Sequence, residues 1–141
     1  MPQHDRWTEA DAIAHAQRHG LALDPALTVP PPTSALAPET PEGVLEARLR
    51  TFAMQAGYLY YHTYNSKKSN PGYPDCAMVH PGPCNPGEER HLFLWELKSS
   101  TGSISSTQRQ WMEALAQVTH IDIGFYRPQD WALMLEKLRQ K

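Results

Sequence analysis

The run LFLWELK, Leu92 to Lys98, constrains the fold more than any other stretch of the chain. Most of it is large and apolar, so it reads as a strand buried on both faces. Yet it ends on two charges, Glu96 and Lys98, and alternation puts them on one face of that strand. A buried charge is costly unless it is paired or bound to a metal. Any fold for this chain has to give these two side chains a reason to be there.

The remaining elements can be read around that strand. With 141 residues the chain is one ordinary domain in size. Residues 7–20 read as a short helix, with Thr8 and Asp11 at its start, a weak stripe of Ala10, Ile13 and Ala14, and Gly20 at its end. Residues 25–41 hold six of the thirteen prolines and read as extended linker. The organisation is therefore an N-terminal helical extension over 1–24, a proline-rich linker over 25–41 and a folded domain over 42–141.

Within that domain Thr40 reads as a cap with Pro41 at the first helical position. The helix runs to about Ala56, buries Val44, Leu45, Leu49, Phe52 and Ala53, and stops at Gly57. An alternating strand follows over 58–64, then the polar loop SKKSNPGY. Strands over 75–80 and 92–98 are joined by PGPCNPGEER. After a turn over 99–103, Ser105 or Ser106 caps a helix reaching about Val118. Ile121, Ile123 and Phe125 mark another strand. Asp130 caps a last helix with Leu133, Met134 and Leu138, and Trp131 beside them, on its apolar side. The order α-β-β-β-α-β-α predicts an α/β domain, a mixed sheet with helices packed on it.

A hairpin centred on Asn85 and Pro86 sets Asp75 opposite Glu96, with Lys98 on the same face. Directly opposed residues have Cβ atoms roughly 4.5–5.5 Å apart. Two carboxylates that close repel unless a proton or a cation lies between them. Mg²⁺ or Mn²⁺ suits such a pair, since hard ions take one or two carboxylates with water and phosphate oxygens. The lysine is then within reach of an attacking water or of a phosphate oxygen. The charges make sense as a metal-dependent phosphodiester hydrolysis site.

Pro74-Asp75 followed by Glu96-Leu97-Lys98 resembles the PD-(D/E)xK nuclease signature. GYLYYHT, GYPD, LWELK, TGSISSTQRQW and YRPQDW, in that order, resemble the VRR-NUC (virus-type replication–repair nuclease) branch of that superfamily over residues 42–135. The resemblance implies a restriction-endonuclease-like core, α-β-β-β-α-β. It implies that Asp75 and Glu96 hold the metal with the Leu97 carbonyl, and that Lys98 orients the water or stabilises charge on the phosphate. Gln108 matches the family's glutamine after the catalytic strand. A glutamate of the first core helix completes the site, either Glu42 or Glu46, which lie one turn apart. Glu46 is favoured because Pro41 and Gly43 put Glu42 in the first turn. The implied activity is an endodeoxyribonuclease leaving 5′-phosphate and 3′-hydroxyl ends. The implied substrate is structured DNA, with the resemblance pointing to Holliday-junction resolvases acting as homodimers in phage-type recombination, replication and repair.

Several residues have plain structural readings beside these. Ser105-x-x-Gln108 is also a capping box. His62 reads either as a half-buried histidine or as a phosphate contact. Ser66, Lys67, Lys68 and Ser69 read as a solvated loop or as a grip on the DNA backbone, and Arg109 divides the same way. Cys76, His80, Cys84 and His91 do not have the spacing of a zinc site. Trp111 and Trp131 read as core residues before base-stacking platforms.

A net charge of −2 gives no global basic excess, though a local patch is enough for DNA. Two cysteines make no disulfide framework, no signal peptide is legible, and no apolar run reaches the ~18 residues of a membrane helix. A soluble, cytoplasmic protein with no membrane partner is the expectation. The rival readings are a nickase, flap or single-strand nuclease on the same site, a catalytically inactive DNA-binding module, and an adaptor working through the proline-rich segment.

Overall fold

The computed structural model describes residues 33–63 and 66–139, and the helix expected over 7–20 lies outside them. Helix α1, Glu42–Gln55, is followed by strands β1, Leu59–His62, β2, Cys76–Val79, and β3, Leu92–Leu97. Helix α2, Ser106–Leu115, strand β4, Ile121–Tyr126, and helix α3, Trp131–Arg139, complete the described order. The four strands form one mixed sheet, in order β1-β2-β3-β4. β1–β2 and β2–β3 are antiparallel, and β3–β4 is parallel. The architecture is α/β, a mixed sheet flanked by helices.

β3 occupies an inner position of this sheet, which is why its residues are apolar on both faces. One face presents Phe93, Trp95 and Leu97 with Cys76, Met78 and Tyr126 to a core completed by Leu45, Leu49 and Ala53 of α1 and Trp131, Met134, Leu135 and Leu138 of α3. The other face carries Leu94 and Glu96, and α2 lies against β4 beside it. The Trp95 indole, buried in the core, donates to Asp122 Oδ1 at 2.9 Å, and Lys137 of α3 binds the other oxygen of that carboxylate.

The β2–β3 register pairs Cys76 with Trp95, Ala77 with Leu94 and Met78 with Phe93, which sets Asp75 opposite Glu96 as the hairpin predicts. The proline-rich connection does not shift it, because the Arg90 guanidinium ties the connection's two sides by donating to the His80 and Gly82 carbonyls.

Four local expectations are corrected. Pro41 is the N-cap residue of α1 and not its first helical residue, while the Thr40 hydroxyl turns back to the Ala37 carbonyl at 2.6 Å. Asp130 lies in a 3₁₀ turn, Pro128–Asp130, and caps backwards by accepting from Arg127 N at 2.8 Å. Leu133 is exposed, and Leu135 takes its place in the core. α2 ends at Leu115, with Ala116 as its C-cap, short of Val118.

α1 does end where Gly57 takes a positive φ of 92°, a conformation glycine adopts without strain. Arg48 of α1 is buried, its guanidinium 5.3 Å from the Trp131 ring and donating to the Ser34 carbonyl at 3.1 Å. Leu36 packs on the same core, so the described end of the proline-rich segment lies against the domain. Among the described residues no helix is long and apolar enough to cross a membrane.

Candidate active site

Two strand ends and a helix start make the site. Asp75 immediately precedes β2, and its carbonyl accepts from Thr63 N at 3.0 Å, which fixes the backbone there against the end of β1. Glu96 and Lys98 stand at the end of β3, and Lys98 N donates to Tyr126 O at 2.9 Å, extending the pairing with β4. α2 begins beside them. Ser105 Oγ accepts from Gln108 N at 3.1 Å, and Gln108 Oε1 accepts from Ser105 N at 2.9 Å. The Gln108 amide nitrogen then donates to Glu96 Oε1. The capping and site readings of Gln108 are therefore not alternatives: one oxygen caps the helix and the nitrogen serves Glu96.

Glu96 is only 2% exposed, and its Oε1 also lies 3.1 Å from the Lys98 ammonium. Oε2 is buried and has no hydrogen-bond partner. Burial, and then the neighbouring Asp75 charge, push the Glu96 carboxyl up to about 7, with Lys98 acting in the opposite direction. An uncompensated carboxylate oxygen beside a second carboxylate is unfavourable in a low-dielectric setting and welcomes a cation. The donors present fit a hard divalent ion: Asp75, Glu96 and the backbone carbonyl of Leu97, whose side chain is buried in the core. Among the described residues no three His, Cys, Asp or Glu side chains gather as a metal-binding group, so the remaining ligands of such an ion would be water and substrate oxygens.

Asp75, Glu96, Lys98 and Gln108 line one cleft of about 500 Å³, together with Glu42 and Ser69. Of the two glutamates on α1, the cleft contains Glu42. Glu46, the one favoured by sequence, accepts from the Tyr60 hydroxyl at 2.8 Å, and that hydroxyl also lies 3.3 Å from Cys76 Sγ. Tyr60 pairs with Met78 and His62 with Cys76, on the core side of the sheet. By alternation His62 lies on the face opposite Asp75. Lys67, Lys68 and Arg109 are exposed and do not line the cleft, and Ser66 belongs to the 3₁₀ turn Ser66–Lys68 beside it.

Sequence reading missed the aromatic part of the cleft, namely Tyr61, Tyr73 and Trp111. The signal for Tyr61 was available, since it alternates with Tyr60 and so faces the Asp75 side. No signal existed for Tyr73, which is placed by the loop after β1. Trp131 is buried in the core as expected, whereas Trp111 is half-buried, with Tyr73 edge-on at 5.2 Å. Neither a family model, a curated protein nor a solved structure matches the chain.

Proposed function

We propose that the protein is a Mg²⁺- or Mn²⁺-dependent endodeoxyribonuclease with a restriction-endonuclease-like core, of the VRR-NUC type within the PD-(D/E)xK nucleases. The observation that carries this reading is the pairing of Asp75 with Glu96 beside Lys98, with Glu96 Oε2 buried and unpartnered. A purely structural ion pair would set donors on both oxygens of the buried carboxylate, whereas here both donors serve one oxygen and the close neighbour besides is a second carboxyl, Asp75.

Asp75 and Glu96, with the Leu97 carbonyl, would hold the ion; of the two α1 glutamates only Glu42 lines the same cleft, and it does not gather with the acid pair into a three-carboxylate group. A hard divalent cation there supplies Lewis-acid activation of the attacking water and neutralises phosphate charge. Lys98 stabilises the negative charge that builds on the phosphoryl oxygens, or orients the water. Gln108 fixes the Glu96 carboxylate through the oxygen it shares with Lys98. Water oxygen bonds to phosphorus, the bond to the 3′ oxygen breaks, and that oxygen leaves with a proton as the 3′ hydroxyl, the phosphate remaining on the 5′ end.

Branched DNA, Holliday junctions in particular, is the proposed substrate, and a C₂ homodimer would give two symmetric cuts. The test is cleavage of labelled four-way junction, flap, duplex and single-stranded DNA with Mg²⁺, Mn²⁺ or EDTA. Metal-dependent cutting by wild type that is lost in Asp75→Asn and Lys98→Ala is the expected result. Binding without cutting in either metal would replace the nuclease with a DNA-binding module.

A further inference from the structure

The cleft that holds the acid pair also has two uncovered tyrosines. Tyr61 is 61% exposed and Tyr73 is 45% exposed. Both line the same cleft as Asp75 and Glu96. Tyr61 sits on β1, an edge strand, opposite Ala77. The methyl group of Ala77 is too small to cover the ring. By alternation Tyr61 shares the sheet face of Asp75.

Tyr73 is held differently. Its ring stands edge-on to Trp111, centroids 5.2 Å apart at 85°. The preceding Gly72 has φ +94°, and a Cβ there would lie 2.7 Å from the Thr107 carbonyl carbon and oxygen. The loop is thus seated on the backbone of α2, and Tyr73 is set before any substrate arrives. Two exposed aromatic side chains in one polar cleft are poorly explained by packing, because neither is buried in the core.

We infer that Tyr61 and Tyr73 form a stacking surface for an unpaired nucleobase next to the phosphate held at Asp75 and Glu96, so that the enzyme selects DNA with splayed or single-stranded nucleotides. This rests on the nuclease reading and narrows its substrate. A phosphodiester carries flat bases within a few ångströms of the phosphate, and a tyrosine face stacks on any of them. In an intact duplex both faces of each base are covered by its neighbours, so the surface engages only where a base has left the stack, as at a flap or a branch point. No array of hydrogen-bonding side chains in the cleft is needed to read the base edge, so the preference is structural and tolerant of sequence.

The test places 2-aminopurine at the unpaired position nearest the cleavage site of a flap and of a single-stranded oligonucleotide. Binding and fluorescence are followed in EDTA, and cleavage separately in Mg²⁺. Wild type quenches the probe, and Tyr61→Leu loses the quenching and raises KM on these substrates roughly tenfold. Tyr61→Trp restores both. Tyr73→Leu, away from the edge strand, weakens quenching in the same direction. If Tyr61→Leu and Tyr73→Leu quench and cut like wild type, or wild type cuts blunt duplex as well as flap, the stacking surface is refuted while an Asp75-dependent nuclease stands. If wild type neither binds nor cuts any of the DNAs, both readings fall together.

Discussion

Both donors at Glu96, the Lys98 ammonium and the Gln108 amide, serve the same carboxylate oxygen. Burial, and then the neighbouring Asp75, make this side chain a source of pH dependence. Its carboxyl is raised to about 7 from an ordinary 4.5, so the metal-free native state holds a proton that the unfolded chain releases. That contribution is fully present below about 4.5 and is lost as pH rises through about 7, amounting to at most about 3 kcal/mol. Urea unfolding in EDTA should therefore show wild type losing stability between about pH 5 and pH 8, while Glu96→Gln loses much less. At the same scale, Lys98→Ala should lower cleavage by about 10²–10³-fold with the fold intact, measured as kcat beside circular dichroism. The sequence disclosed Asp75, Glu96 and Lys98 because a charge inside an apolar strand is visible without coordinates. It did not disclose that Glu46 accepts from Tyr60, since two glutamates one turn apart are distinguishable only by what lies across from them.

α2 and the loop that precedes β2 build the cleft as a unit. The capping box at Ser105 positions both the helix and the side chain that reaches Glu96. Ser105→Ala should cost about 1 kcal/mol of stability and also reduce cleavage, a pairing that an isolated cap would not produce. Gly72→Ala strains a positive φ and drives a methyl into the Thr107 carbonyl, and should destabilise by about 1–3 kcal/mol in thermal or urea unfolding. Strand and helix positions were legible at this scale because the apolar periods switch cleanly between two and 3.6 residues. The ends were less so. Asp130 looks like a forward cap from its composition, but the Arg127 backbone amide is the donor that reaches it. Leu133 falls within the apolar stripe of α3, yet the helix turns Leu135 inward in its place.

For the whole molecule, the element order was readable, and so was the hairpin register, because antiparallel neighbours are close in sequence. The parallel pairing of β3 with β4 and the burial of Arg48 join segments far apart in the chain, and no local pattern carries them. Arg48 also sets a limit on truncation. Removing residues 1–32 leaves Ser34 and Leu36 on the core, whereas removing 1–39 takes away a hydrogen-bond acceptor of a buried guanidinium and an apolar contact. The longer truncation should therefore be less stable than the shorter one by about 1–3 kcal/mol in urea unfolding. Setting Glu96 in β3, with Lys98 directly after it, has a further result for the lifetime of the proposed site. β3 is paired with β2 over Phe93–Trp95 and with β4 along its whole length, so it opens only when the sheet comes apart, and its amides are expected among the slowest to exchange. Warming should therefore leave the spacing of Glu96 and Lys98 intact until the molecule melts cooperatively, and the proposed cleavage should be lost abruptly, at the melting temperature, and not by gradual loosening.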